Sequence, residues 1–213
     1  MKLYKNFFKR AIDIAASGCG LVVLSPVLAV ITLWLHFANK GAGAFFFQER
    51  PGKDGKIFRV VKYKSMTDEK DANGELLPNA QRLTKVGKFI RKTSIDELPQ
   101  LWNVFVGDMS LIGPRPLLSR YLPWYTEREQ HRHDVRPGIT GWAQVNGRNH
   151  VDWNQRLEYD VQYVENLSFG LDAKILYMTV KNVLASKDIE VAPKGQFLDV
   201  ERKQRANDIT KDK

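Results

Sequence analysis

Two adjacent carboxylates, Asp96 and Glu97, are the residues of this chain whose types and spacing are best suited to chemistry. Arg91 precedes them and the turn sequence GPRP, which contains Arg115, follows them, so cations flank the acid pair on both sides. A carboxylate can act as a nucleophile or hold a metal ion, and nearby cations can bind an anionic substrate. The same two acids could also do no more than complement a helix dipole.

The acid pair lies at the start of a predicted helix. Ser94 stands three residues before Glu97, and this S-x-x-E pattern of a capping box predicts that Ser94 is the N-cap, with both acids in the first turn. Gly107 predicts the end of the helix. A basic helix over 82–92 is expected to deliver Arg91 to the same place. Apolar residues at helical spacing give the central helix one face to bury: Leu98, Leu101, Trp102 and Phe105.

Upstream of these helices, two short strands are predicted, one starting at Phe45 and one over 57–64, with PG and DG turn signals between them. Lys62 and Lys64 would share one strand face by period-two alternation. That face could be a solvated edge or could meet a phosphate. The polar stretch 67–80 has no periodicity and predicts a mobile loop, which could cover a site as a lid.

Downstream, the glycine-rich stretch 136–149, RPGITGWAQVNGRN, has the composition of a binding loop, but it lacks the G-x-G-x-x-G spacing of a dinucleotide site. His131 and His133 have no cysteine or carboxylate at recognisable zinc spacing. A helix is predicted from Trp153, and Asp172 is expected to cap another, whose apolar stripe could face core or bilayer. From residue 193 the sequence predicts a charged, loose tail.

One stretch, 11–38, is apolar enough and long enough to enter a membrane. Ser25-Pro26 falls in its middle and predicts a kink or break. Basic residues lie on both flanks, and the positive-inside rule would place both flanks in the cytoplasm. A helix that enters the bilayer, breaks and returns would keep both basic flanks in the cytoplasm. An ordinary kinked transmembrane helix is the alternative that the residues alone leave open. No convincing signal-peptide cleavage site follows, so the segment is expected to stay attached.

The net charge of the 213-residue chain is +9, which favours an anionic partner: nucleic acid, a membrane surface or a phosphorylated substrate. The sequence contains no recognisable nucleic-acid motif, Walker A loop or nucleophile elbow, so a nucleic-acid partner is not expected. Cys19 is the single cysteine, which excludes an internal disulfide framework and fits a reducing compartment.

Four stretches together resemble the bacterial sugar transferases, the monotopic phosphoglycosyl transferases that begin glycan assembly on a polyprenyl phosphate carrier. They are FKRAIDI, QERPGKDGKIFRVVKYKSM, RKTSIDELPQLWNVFVGDMSLIGPRP and VRPGITGWAQVNGRN. The resemblance runs through nearly the whole chain. Each stretch alone is weak, but the combination is highly specific.

The resemblance implies an α/β (α+β), mostly helical fold in three parts. Residues 1–40 would be a membrane-anchoring re-entrant helix broken at Ser25-Pro26, residues 41–192 a compact cytoplasmic catalytic domain with a few short strands, and residues 193–213 a charged tail. The protein would sit at the bacterial inner membrane, with its catalytic domain on the cytoplasmic face against inner-leaflet lipids. The sequence leaves open whether it forms a homodimer.

The resemblance also implies a Mg²⁺-dependent reaction that moves a sugar 1-phosphate from a UDP-sugar to undecaprenyl phosphate and releases UMP. Asp96 would be the nucleophile that forms a covalent phosphosugar intermediate, and Glu97 would hold the Mg²⁺. Similarity to the small members of the family points to an N-acetylated amino sugar. The expected substrate-binding residues are Arg91, Arg115, Lys62, Lys64 and Arg148. The alternative is a non-catalytic basic adaptor at the membrane surface, whose acids only cap a helix.

Overall fold

A computed structural model of the chain describes residues 3–147, 151–185 and 197–211, which form a mostly helical fold with four short strands. The helices are α1 (Lys9–Ala38), α2 (Asn79–Arg82), α3 (Lys85–Lys92), α4 (Gln100–Val106), α5 (Glu127–Gln130), α6 (Trp142–Asn146), α7 (Trp153–Glu165), α8 (Phe169–Leu184) and α9 (Leu198–Lys211). The strands are β1 (Phe45–Pro51), β2 (Ile57–Tyr63), β3 (Ser110–Ile112) and β4 (Gly138–Thr140). To this extent the predicted fold class is confirmed.

The long apolar stretch forms one helix, α1, which continues through Pro26. The helix is therefore not interrupted at Ser25-Pro26, and a kink there stays a prediction. Proline has no N–H to offer the carbonyl four residues earlier, and the Ser25 hydroxyl donates to that carbonyl of Val22 instead, at 2.8 Å. The helix is long and apolar enough to cross a membrane, and its middle is exposed, with Val22 at 74%.

Both ends of α1 pack against the rest of the fold. Near its start, Lys9 forms a buried ion pair with Asp172 of α8 at 2.7 Å. Near its end, Leu35 is fully buried in a core cluster that includes Ile90 of α3. Just beyond the end, the Asn39 side chain donates to two backbone carbonyls of the hairpin region, at 2.8 and 2.9 Å. The two ends of the apolar helix therefore contact the same domain.

Strands β1 and β2 form the predicted antiparallel hairpin, in which Phe46 lies opposite Lys62 and Arg50 opposite Phe58. Directly opposed residues of an antiparallel pair point to the same face of the sheet. The face that carries Lys62 also carries Val60, which is 3% exposed and packs against Val104 of α4 and Met109. This face of the hairpin is therefore directed toward the centre of the domain.

The glycine-rich stretch forms β4 and α6, and β4 pairs in parallel with β3. Gly113 and Gly138 allow this approach, because a Cβ on Gly138 would lie 2.1 Å from the Gly113 nitrogen. The glycines of residues 110–147 therefore have a packing role. The expected role as a binding loop stays a prediction.

Two other segments have local structure that their sequence patterns did not specify. In the expected lid, the Asp71 carboxylate accepts hydrogen bonds from the backbone N–H groups of Asn73 and Glu75, which close a compact turn. Its role as a lid stays a prediction. The expected basic helix over 82–92 begins at Lys85 as α3, because Thr84 caps it by accepting from Gly87 N at 2.8 Å, while Arg82 ends the preceding helix α2.

Asp172 does not cap its helix, so that expectation is wrong. Ser168 is the N-cap of α8. Asp172 is instead buried, and it accepts hydrogen bonds from Tyr4 at 2.6 Å and Tyr163 at 2.8 Å in addition to its ion pair with Lys9. A carboxylate so deep in the fold needs these partners, since an unpaired buried charge is costly. Asp172 therefore joins α8 to the start of α1.

Replacing Asp172 by alanine is expected to lower the free energy of unfolding by about 3–5 kcal/mol, because it leaves the buried Lys9 cation without its counter-charge. Denaturation of the detergent-solubilised protein measures this. Asp152→Ala is the matched control: this N-cap carboxylate of α7 is exposed, and its loss should cost only about 1 kcal/mol. Equal losses in the two variants would contradict the buried-pair argument.

The charged tail contains a docked helix, α9, so the expectation of a loose tail is wrong for residues 197–211. Leu198 is fully buried in a cluster with Leu117 and Tyr121. Arg202 forms an ion pair with Glu129 of α5 at 2.6 Å. Leu198 and the Arg202–Glu129 ion pair therefore hold α9 against the domain, although the charged composition of this segment does not by itself predict packing.

Candidate active site

The acid pair lies in a short 3₁₀ turn, Ile95–Glu97, between α3 and α4. Ser94 has left-handed backbone angles, φ 57° and ψ 15°, and its side chain makes no capping hydrogen bond. The predicted capping box is therefore wrong. The N-cap of α4 is Pro99, so both acids precede that helix. A left-handed serine costs roughly 1–2 kcal/mol, and backbone strain of this kind is common at functional sites.

Glu97 is held by two cations from different parts of the chain. Its Oε1 accepts from Lys62 Nζ of β2 at 2.7 Å and from Arg115 Nη2 at 2.5 Å. Burial alone would raise the pKa of Glu97, but Arg115 and Lys62 outweigh it and hold that pKa well below its ordinary value. Glu97 in turn raises the pKa of Arg115. Glu97 is therefore ionised across the physiological range and fixes both cations beside Asp96.

The pKa of Asp96 is shifted in the direction opposite to that of Glu97. Burial and, after it, the negative charge of Glu97 raise the pKa of Asp96 to about 6, although Lys62, Arg115 and Arg91 act to lower it. The neighbouring acids thus have pKa values pushed apart by their surroundings, a pattern typical of catalytic pairs. Asp96 is ionised at neutral pH, and it is a stronger base than an exposed aspartate.

Arg91 approaches the acid pair from α3. Its Nε donates to the Ser65 hydroxyl at 2.8 Å, and Asp96 stabilises its positive charge. This arrangement depends on Gly87, where a Cβ would lie 1.8 Å from the Ser65 carbonyl oxygen. Sequence reasoning missed Ser65 as the residue that orients Arg91. No local pattern signals it, because the contact joins residues 26 positions apart.

The structure brings together Asp96, Glu97, Lys62, Arg91 and Arg115, but it does not bring Lys64 to them. Lys64 lies just after β2, and its Nζ donates to the Ala42 carbonyl at 2.9 Å and to Asp68 at 2.5 Å. The expectation that Lys64 faces a substrate phosphate is therefore not supported by its contacts. Arg148 lies outside the described residues.

Glu97 retains one carboxylate oxygen that could bind a metal ion. The contact recorded for its Oε2 is a long one, 3.5 Å from Arg115 Nη1. In the described part of the chain no group of three or more His, Cys, Asp or Glu side chains forms a metal cage. Mg²⁺ does not require a cage, since it is commonly held by one or two carboxylates together with substrate phosphates. The acid pair fits that mode of binding.

The family model for bacterial sugar transferases matches residues 4–186 of the chain. An uncharacterized sugar transferase, EpsL, of Bacillus subtilis is 53% identical over 85% of this chain and 90% of its own length. The undecaprenyl-phosphate galactose phosphotransferase of Salmonella typhimurium is 40% identical over 86% of this chain. A Klebsiella pneumoniae protein named UDP-glucose:undecaprenyl-phosphate glucose-1-phosphate transferase is 44% identical over 81%. The alignments with these last two relatives span only 42% and 39% of their lengths.

Proposed function

Since this chain belongs to the bacterial sugar transferase family, we propose that it transfers a sugar 1-phosphate from a UDP-sugar to undecaprenyl phosphate and releases UMP. The observation that carries the proposal is the Asp96–Glu97 pair. Asp96 is a half-buried carboxylate with a raised pKa, and the neighbouring Glu97 is held by ion pairs with Lys62 and Arg115. The names of the Salmonella and Klebsiella relatives describe transfer reactions of this kind.

The reaction proceeds in two steps. A carboxylate oxygen of Asp96 attacks the sugar-bearing phosphorus of the UDP-sugar, an O–P bond forms, and the bond to the bridging oxygen breaks as UMP leaves with the electron pair. A phosphate oxygen of undecaprenyl phosphate then attacks the same phosphorus and displaces Asp96 as a free carboxylate. Covalent catalysis divides one transfer between two anions into two easier displacements.

The cations of the site carry the electrostatic part of this mechanism. Arg91 and Arg115 flank Asp96 and can neutralise the phosphate oxygens as charge develops on them. Glu97 and Ser65 hold these two guanidinium groups in place before substrate arrives. Mg²⁺, held by Glu97 and substrate phosphate oxygens, would neutralise further charge on the leaving UMP.

The contacts of α1 support a re-entrant position in the membrane. Lys9 at one end and Asn39 just past the other both contact the polar domain, which can lie on only one side of a bilayer. The exposed apolar middle of α1 then enters the lipid, and both basic flanks stay on the side of the catalytic domain. By the positive-inside rule that side is the cytoplasmic face of the inner membrane.

The sugar is expected to be an N-acetylated amino sugar. An Aeromonas hydrophila relative, 38% identical, is named for N-acetylgalactosamine, whereas others are named for glucose or galactose. The names of the relatives therefore do not favour one sugar class, so the assay has to include UDP-activated amino sugars, glucose and galactose.

The proposed function is tested by incubating purified, detergent-solubilised protein with Mg²⁺, undecaprenyl phosphate and a panel of UDP-sugars while UMP release is followed. We expect UMP from at least one sugar, and a polyprenyl diphosphate sugar as the second product. A hydrolase would release sugar phosphate without lipid. No product from a broad panel would favour the membrane-surface adaptor.

The first step is expected to depend on pH through Asp96. Its pKa is raised to about 6, so the nucleophile is protonated below that pH and ionised above it. Formation of the covalent intermediate should therefore rise about tenfold per pH unit below pH 6 and level off above it. Labelled UDP-sugar without lipid acceptor isolates this step, because the acceptor phosphate also titrates near pH 6. A flat profile between pH 5 and 7 would contradict the assignment of Asp96 as the nucleophile.

A further inference from the structure

Arg50 lies on the face of the hairpin that carries Lys62. In the register of the hairpin Arg50 is opposite Phe58 and Lys62 is opposite Phe46, so both cations point to the same face, four residue pairs apart. At the rise of a β-strand this separation is about 13 Å. Since Lys62 reaches Glu97 from this face, Arg50 extends the row of cations away from the acid pair.

Among the described residues, no carboxylate acts as a counter-ion for Arg50. Arg50 is half-buried, and its guanidinium donates to the neutral side-chain amide oxygen Oε1 of Gln48 at 2.6 Å. Arg132, a fully buried arginine of the same region, is by contrast paired with Asp160 at 2.8 Å. A partly buried cation without a partner lowers stability. No ion pair among the described residues therefore compensates the charge of Arg50.

Arg115 connects Arg50 to the acid pair. Its guanidinium bonds Glu97, and its charge also acts on Arg50: burial first, and then repulsion by Arg115, lower the pKa of Arg50 to about 10. The segment after Arg115 follows β1, since the Ser119 hydroxyl donates to the Glu49 carbonyl at 3.3 Å. Arg50 and Arg115 are therefore two like charges held near one another, of which Arg115 lies beside the nucleophile, and an anion bound to both would relieve their repulsion.

We propose that Arg50 is a further substrate-binding residue, which together with Arg115 takes a phosphate group that is not the one attacked by Asp96. The identity of this phosphate rests on the proposed function: it is either the phosphate that leaves with UMP or the phosphate of the polyprenyl acceptor. Both present the same chemistry to a guanidinium, which can bind a phosphate through two parallel hydrogen bonds.

The experiment compares Arg50→Gln and Arg50→Lys with the parent protein. A hydrogen bond between charged groups contributes about 1.5–3 kcal/mol, so Arg50→Gln should raise one KM roughly 10- to 100-fold, and Arg50→Lys should raise it less. An increase in the KM for the UDP-sugar assigns the contact to the donor. An increase in the KM for undecaprenyl phosphate assigns it to the acceptor.

Binding of UDP and of inorganic phosphate, followed by thermal shift, provides a readout that needs no turnover. Arg50→Gln should weaken the stabilisation by at least one of them, while its melting temperature without ligand stays the same or rises. Arg59→Gln is the matched control, because Arg59 lies on the opposite face of the same hairpin and is exposed. Arg59→Gln should have the same melting temperature and the same stabilisation by UDP and phosphate as the parent protein.

The two proposals can fail separately. If the parent releases UMP in a lipid-dependent reaction and Arg50→Gln changes neither KM nor ligand binding, the Arg50 inference is overturned and the transfer reaction stands. If the parent shows no transfer but Arg50→Gln abolishes binding of UDP or phosphate, the anion site stands and the proposed reaction does not.

Discussion

Replacing Asp96 by asparagine is expected to abolish lipid-dependent UMP release, with a loss of about 10⁴-fold or more, comparable to the removal of a nucleophile from other covalent enzymes. The amide has nearly the same shape but cannot form the covalent phosphosugar intermediate. Glu97, which lies beside it, cannot substitute, since Lys62 and Arg115 engage its carboxylate and keep its pKa well below the ordinary value.

The same substitution is expected to stabilise the protein. The pKa of Asp96 is raised to about 6, so the fold favours the protonated form, and keeping Asp96 ionised costs stability above pH 6. Asparagine removes that cost, and the free energy of unfolding at pH 7 should rise by about 1–3 kcal/mol. The gain should disappear below pH 4, where Asp96 is protonated in both the folded and the unfolded chain.

Thermal denaturation at pH 3 and 7, run beside the UMP assay, tests both expectations. Asp134→Asn is the control, because that carboxylate is exposed and lies outside the acid pair. A variant that is inactive and more stable identifies Asp96 as a residue kept for chemistry. A variant as active as the parent would exclude Asp96 as the nucleophile and leave the adaptor as the better hypothesis.

Replacing Arg115 by glutamine is expected to lower kcat/KM by about 10²- to 10³-fold, the usual effect of removing one group that stabilises charge in a transition state. Two effects combine. The substrate loses a guanidinium beside the nucleophile, and Glu97 loses one of its two cationic partners. Arg115 also lowers the pKa of Asp96, so the pH profile of the variant should move to higher pH.

Arg115→Lys separates charge from geometry. Lysine keeps the positive charge but not the planar fork, so the pH profile should return toward that of the parent while kcat/KM stays reduced. Arg128→Gln is the control, since Arg128 is exposed and forms its ion pairs with two glutamates of α7, Glu158 and Glu165. If Arg115→Gln leaves both kcat/KM and the pH profile unchanged, Arg115 has no part in the reaction.

Local patterns in the sequence predicted those parts of the fold that local forces determine. The hairpin follows from its turn signals, and the central helix ends at Gly107, which adopts φ 106° as a helix-ending glycine does. Arg91 and Arg115 were predicted beside the acid pair because they are close to it in sequence. Lys62 also lies beside the acid pair, on a strand face that residue alternation assigned to it, and its contact with substrate stays a prediction.

The errors arise where distant contacts override a local signal. Ser94 matches a capping box, yet Pro99 starts the helix five residues later and Ser94 takes a left-handed turn. Asp172 has the position of a helix cap, but Lys9 draws it into a buried ion pair 163 residues away in sequence. No periodicity in either segment could reveal these partners, because each contact is created by the packing of another element.

The position of α9 has a consequence for the order in which the protein folds during synthesis. Leu198 completes the apolar cluster around Leu117, which lies two residues after Arg115. The ribosome makes Leu198 long after Leu117, while domains tend to begin folding from the N-terminal side as they emerge. The apolar surface behind the Arg115 turn therefore stays uncovered in the nascent chain until α9 emerges. Until then this surface is an apolar patch of the kind that makes incompletely folded chains prone to aggregate.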